Sequence, residues 1–159
     1  VKVVGFEGGE KGLFTGGFEA NETATTTAKG IIDQDADVIL PVGGPIYQGA
    51  LTAIADSGKD VALMGVDADF FETDPKTQDV VLTSILKNMK VSTYEAIKSA
   101  ASGGDFDFTP YVGTLENDGV GIAPFHNFED KVDAGLADKI ETVKQGIISG
   151  DITVDSYLG

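Results

Sequence analysis

Asp67 is the residue whose type and place most clearly offer chemistry. It closes the run Met64-Gly65-Val66-Asp67, where an apolar stretch gives way to a loop. A carboxylate at such a point can accept two hydrogen bonds from vicinal hydroxyls, although a turn or cap aspartate is the plainer reading. Lys87, one turn beyond Leu82-Thr83-Ser84, would bring a donor to face it across a small cleft, unless it is simply a solubilising lysine. Gly43 and Gly44, in Pro41-Val42-Gly43-Gly44-Pro45, permit close backbone approach, and Pro45 suits the first turn of a helix. That stretch can act as an amide cradle for an oxygen-rich ligand, or merely start a helix. Phe18 and Tyr47 fall in or near expected loops, where an aromatic can stack on a ring.

Other chemistries find little support. Asp67, Asp69, Glu72 and Asp74 crowd one loop, but the spacing lacks the glycine and terminal glutamate of an EF-hand. The chain has no cysteine and one histidine, His126, so a thiolate site or a histidine cluster is excluded. No metal and no cofactor is expected. An enzyme would have to use Asp67 with Asp69 or Lys87 as acid and base in a doubly wound hydrolase or transferase. Neither a Ser-His-Asp set nor a P-loop supports that, and Gly-x-Gly-x-x-Gly is absent.

These residues need elements to position them. Val1–Val4, Val38–Leu40, Val61–Val66 and Val80–Leu82 are continuous apolar runs, as strands buried on both faces should be, and point to a parallel sheet. Between them Ala24, Ala28 and Ile31 within Glu22–Ile32, and Ile46, Ala50 and Ile54 within Pro45–Asp56, recur at helical spacing. The pattern is that of βαβ units with right-handed crossovers. A helix follows over Met89–Ala101, then a turn at Gly103–Asp107 and two short strands, Tyr111–Leu115 and Gly119–Ala123, joined at Glu116-Asn117-Asp118. The last helix carries the stripe Val132, Leu136, Ile140, Val143 and Ile147, and Gly150 ends it. In an open α/β sheet, ligands gather at the carboxyl ends of the strands, where Gly43, Gly44 and Asp67 fall.

Composition sets the outer bounds. A chain of 159 residues with 42% hydrophobic residues can fold as one domain without disulfides or metals. Its 26 acidic residues outweigh 11 basic ones, all lysine, for a net charge of −15, so a nucleic-acid partner is not expected. No apolar stretch approaches the roughly 20 residues of a membrane span, and no signal peptide is seen. Either the chain is cytoplasmic or its targeting segment lies outside these residues.

The ordered motifs Ala28-Lys29-Gly30, Asp33-Gln34-Asp35-Ala36-Asp37-Val38-Ile39, Gly43-Gly44, Gly49-Ala50, Gly65-Val66-Asp67-Ala68-Asp69, Val81-Leu82-Thr83-Ser84-Ile85-Leu86-Lys87 and Asn117-Asp118-Gly119-Val120-Gly121-Ile122-Ala123 run through most of the chain. Together they resemble the carboxyl-terminal portion of lipoproteins of the basic membrane protein (BMP) family. The resemblance implies an α/β, parallel-sheet three-layer lobe of a type I periplasmic-binding-protein-like fold, with residues 1–159 forming one ligand-binding lobe. It implies a non-catalytic solute-binding component of an ABC transporter, in which two lobes clamp a purine nucleoside or related ribosyl ligand and hand it to a permease. Asp67 and Lys87 would then hold ribose hydroxyls, Gly43 and Gly44 would line the cleft, and Phe18 would lie near it. Many family members carry an aromatic near the end of the second strand, where this chain has Leu40-Pro41-Val42, so Phe18 or Tyr47 would take over stacking.

The same resemblance places the full-length protein outside the cytoplasm, lipid-anchored, with an amino-terminal lobe absent from these residues. The segment from about 84 to 121 would normally complete that other lobe. Apolar surface should therefore be left uncovered, with Ile97, Ala101 or their neighbours meeting another copy. A sugar-binding or signalling lobe without transport is the alternative.

Overall fold

The computed structural model describes residues 1–8, 11–103 and 108–155. Its main sheet has four strands: β3 (Val38–Ile39), β4 (Ala62–Asp67), β5 (Val81–Lys87) and β6 (Val120–Ile122), in that spatial order. Strands β3, β4 and β5 run parallel, and β6 pairs antiparallel with β5. The fold is α/β, a mixed sheet with flanking helices. Preceding it, β1 (Phe6–Gly8) and β2 (Lys11–Gly12) form a separate antiparallel ribbon.

Two helices cover one face. In α1 (Glu22–Ile32) the side chain of Asn21 caps the first turn by accepting from the amide of Ala24 at 3.0 Å. A single 3-10 turn over Gly44–Ile46 leads into α2 (Tyr47–Ser57), which stops at Gly58 in the left-handed conformation. Ala24 and Ala28 face Gly49, Ala50 and Ala53 across the α1–α2 contact, and such small residues let the two backbones approach closely. Beneath them Ile32, Ile39, Ile54, Leu63 and Val81 form the core. Ile32 and Leu63 are fully buried, each stabilising by roughly 1.5–3 kcal/mol.

The opposite face is only partly covered: Thr83, paired with Met64, is buried and its hydroxyl donates to the Ala123 carbonyl at 2.7 Å, but the carboxyl half is open. Register places Val66, Ile85 and Ile122 in one row across β4, β5 and β6, and alternation adds Met64 and Val38 to that face. Ile85 and Ile122 remain 40% and 43% exposed. Helices α4 (Met89–Ala101) and α5 (Leu136–Ser149) bury no residue, so neither closes over this row.

Several local expectations shift. Val1–Val4 is not a strand of the sheet: Val1 and Val3 are exposed, and Gly5, at φ 82°, turns the chain into the β1–β2 ribbon. An apolar run becomes a strand only where an edge receives it, and β3, the outer strand, pairs over two residues alone. Tyr111–Leu115 is irregular as well. Instead of a ladder, Asn117 ties the turn together, donating from its side chain to Val112 and accepting from the amides of Thr114 and Gly119. The final helix begins at Leu136 and excludes Val132, whose amide bonds to Phe128 in a preceding turn. The expected turn at Gly103–Asp107 lies mostly outside the described residues.

Candidate functional site

The carboxyl edge of β4 and β5 joins the two charged residues singled out above. Strand β5 runs on through Lys87, so that residue ends a strand instead of sitting one turn beyond it. In register Asp67 lies opposite Leu86, which places Lys87 beside the next position. The Lys87 ammonium reaches Asp67 Oδ1 at 3.1 Å, with the two side chains 62% and 51% exposed. An ion pair this exposed stabilises by only about 0–1 kcal/mol, so a competing ligand can displace it at small cost. Asp67 has φ 71°, the left-handed region, which aspartate visits more readily than most residues.

At the neighbouring strand end, Phe18 meets the Gly43-Gly44 turn. These glycines have φ 140° and 48°, and a Cβ on Gly43 would sit 3.0 Å from Phe18 Cδ1. Glycine is therefore required there twice over, by backbone angle and by the ring lying against it. Phe18 itself stays 69% exposed, leaving ring surface open to solvent. Strand β3 ends at Ile39, level with Leu63, so the chain from Ile39 to the Gly43-Gly44 turn runs on beyond the ladder towards the level of Asp67.

Tyr47 has a different setting. Its hydroxyl donates to Asp74 Oδ2 at 2.8 Å, and its ring tilts at 42° against Phe70 with centroids 4.3 Å apart. Burial pushes its phenol above the ordinary value of 10.0; the bond and charge of Asp74 add to this, and a hydrogen bond with Gln48 opposes it. Its polar end is thus already engaged within the fold.

Sequence reasoning missed His126 as a neighbour of this edge. Its Nε2 lies 2.8 Å from Asp69 Oδ2, and its ring stacks on Phe71 with centroids 4.0 Å apart and planes 5° from parallel. Asp69 caps the short helix α3 (Phe70–Thr73), which folds back over β4 so that Phe70 packs against Gly65. Only the presence of a single histidine in the chain hinted at it. The crowded carboxylates are in fact dispersed: Asp67 pairs with Lys87, Asp69 with His126, and Asp74 with Tyr47. Among the described residues no three His, Asp or Glu side chains converge as a metal site. A groove of about 550 Å³ between α2 and the segment 74–80, lined by Gln48, Thr52, Asp74, Lys76 and Asp79, lies apart from the Asp67–Lys87 pair.

Comparison with known proteins converges on one group. Residues 13–156 match the family described as Bmp, ABC transporter substrate-binding protein PnrA-like. The chain is 28% identical to a CD4+ T-cell-stimulating antigen of Listeria monocytogenes and 27% identical to its counterpart in Listeria innocua, covering 95% of this chain and 52% of each relative. The chain thus spans about half the length of these relatives. Its fold resembles that of an ABC transporter solute-binding protein from Aeropyrum pernix, with a TM-score of 0.69 at 22% identity over 91% of this chain and 48% of that one. A solute-binding protein from Conexibacter woesei superposes with a TM-score of 0.66 at 19% identity, over 84% and 42% respectively. With a sheet of this topology, an acceptor and a donor paired at its carboxyl edge, and a family match across nearly its whole length, the chain belongs to the Bmp family of PnrA-like ABC transporter substrate-binding proteins.

Proposed function

We propose that this chain is one lobe of a non-catalytic solute receptor that captures a purine nucleoside, or a related ribosyl ligand, at the carboxyl edge of its sheet. The observation that carries the reading is the Asp67–Lys87 pair, one acceptor and one donor 3.1 Å apart on an open edge. Two vicinal hydroxyls are the matching ligand chemistry: one donates to the Asp67 carboxylate and the other accepts from the Lys87 ammonium. Phe18 supplies an exposed ring for a base, and the Gly43-Gly44 turn lets backbone approach the ligand. Tyr47 lies nearby as a secondary stacking candidate, its hydroxyl held by Asp74.

In the full-length protein a second lobe closes over the ligand and the closed form is recognised by an ABC permease. That protein works outside the cytoplasm and is held there by a lipid anchor. Of the segment from about 84 to 121, its two ends belong to β5 and β6 of this sheet, and the stretch between them, which carries α4, contributes to the other lobe, in keeping with α4 having no buried residue here. When the lobe stands alone, its open sheet face and Ile97, 63% exposed on α4, favour association with another copy. A sugar-binding or signalling lobe is the second reading, favoured by Leu40-Pro41-Val42 having no aromatic where many family members have one.

Calorimetric titration of purine nucleosides, pyrimidine nucleosides and free pentoses, into the wild type and Asp67→Ala, tests the proposal. Purine-nucleoside binding that disappears in Asp67→Ala is the expected result. Pentoses binding as tightly as nucleosides would select the sugar-binding reading. Turnover of a nucleoside would overturn the non-catalytic assignment.

A further inference from the structure

Asp67 carries the ligand-facing carboxylate at the last position of β4, where pairing with Leu86 of β5 holds its backbone on one side only. Its φ of 71° is one that non-glycine residues adopt at a penalty, and its side chain is spent on Lys87 rather than on its own turn. Beyond that pairing, the restraint comes from the residues that follow. The Phe70 amide donates to the buried Ser84 hydroxyl at 3.1 Å, which fixes the far end of the turn to β5. Between them Asp69 divides its carboxylate: Oδ1 accepts from the Phe71 amide at 3.1 Å and Oδ2 meets His126 Nε2 at 2.8 Å.

His126 reaches this turn from a remote part of the chain, 57 residues along, in a 3-10 turn over His126–Phe128 that follows β6. It grips in two ways, through the Asp69 bond and by lying flat on the Phe71 ring. The His126 and Asp69 side chains are only 15% and 20% exposed, unlike the solvent-facing Asp67–Lys87 pair. His126 is itself left-handed, with φ 47°. Two non-glycine residues in that region, Asp67 and His126, therefore stand at the two ends of one chain of contacts through Asp69. Local strain of this kind persists where surrounding contacts over-determine it, and it concentrates where a side chain must be aimed.

We propose that His126 is a positioning residue for the Asp67 carboxylate: by holding Asp69 and covering Phe71, it keeps the 67–71 turn in the conformation that aims Asp67 at Lys87 and at the ligand. The ligand half of this inference rests on the reading of the Asp67–Lys87 edge given above; the conformational half does not. Only two planar peptide units separate Asp69 from Asp67, so few torsions are available to absorb movement at Asp69 before it reaches Asp67. A clamp that served α3 alone would leave Asp67 undisturbed when removed.

The test reads Asp67 itself. In ¹⁵N-labelled chain, the three-bond HN–Hα coupling of Asp67 and the amide shifts of Asp67 and Ala68 are measured in the wild type, His126→Ala and His126→Gln, alongside titration with adenosine. His126→Ala is expected to keep its far-UV circular dichroism while the Asp67 coupling and shifts leave their wild-type values. If the competent turn falls to about a tenth of the population, the adenosine Kd rises about tenfold. His126→Gln, whose amide can still donate to Asp69, should recover most of both.

A folded His126→Ala with an unchanged Asp67 coupling would overturn the proposal. So would adenosine binding that survives His126→Ala but is lost in Asp67→Ala. Failure of the wild type to bind adenosine would count against the ligand reading and its dependent half, while the Asp67 coupling still decides the conformational half. Should His126→Ala not fold, Asp69→Asn weakens the same bond from the other side while keeping a capping oxygen, and is judged by the same coupling.

Discussion

Tyr47 shows how a side chain chosen for its type can be committed elsewhere. Its ring packs on Phe70 and its hydroxyl donates to Asp74, so Tyr47→Phe removes one partly buried bond and should destabilise the fold by about 1 kcal/mol near neutral pH. The pH dependence has a definite sign. Burial raises the folded-state phenol above 10.0, so the stability linked to its protonated form is complete below pH 10.0 and is lost as pH rises through the higher folded value. Urea denaturation at a series of alkaline pH values should therefore show a steeper loss of stability in wild type than in Tyr47→Phe. Parallel alkaline limbs would show that this phenol is not the linked group.

Among the elements, the α1–α2 contact is the most exacting. Gly49 lies inside α2, where alanine would ordinarily be favoured by about 1 kcal/mol. A Cβ at that position, however, would stand 2.7 Å from Ala24 Cβ and 2.9 Å from the Thr25 backbone nitrogen, neither of which can swing aside. Overpacking of this kind costs about 1–3 kcal/mol, so steric conflict should outweigh propensity. Gly49→Ala is expected to lower the urea midpoint by the equivalent of up to about 2 kcal/mol net; a raised midpoint would mean that the helices part freely.

The helix boundaries themselves were largely readable: Glu22–Ile32 and Met89–Ala101 have the extents that their periodicity indicated. The short helix α3 was not. Phe70-Phe71-Glu72-Thr73 has no period long enough to register, and it is held by distant partners, Ser84 and His126. The α5 stripe was readable as a stripe, yet Leu136, Ile140 and Ile147 are only half-buried and Val143 is 48% exposed. Periodicity reports that a face is apolar and says nothing of what lies against it.

At the level of the whole molecule two terms oppose each other. A net charge of −15 keeps copies apart, while the row Val66, Ile85 and Ile122, with Ile97 on α4, leaves apolar surface to water. Charge repulsion between exposed groups is screened within a Debye length of roughly 8 Å at physiological ionic strength, and apolar burial is not. Sedimentation velocity should accordingly show association that grows with protein concentration and with added salt, and that Ile85→Lys weakens. A monomer at high concentration and high salt would show that this face has no affinity for its like. Most of what is local was present in the chain before any folding: an α/β alternation, the helix faces, the acidic balance, the Gly43-Gly44 turn, and Asp67 at a strand end, because all of these follow from neighbouring residues and short periods. Folding alone brought Lys87 onto Asp67 across 20 positions, His126 onto Asp69 across 57, and Phe18 onto Gly43, and it alone left one sheet face partly uncovered. Strand register and long-range contacts arise between segments that share no local pattern, so they exist only once the sheet has been assembled.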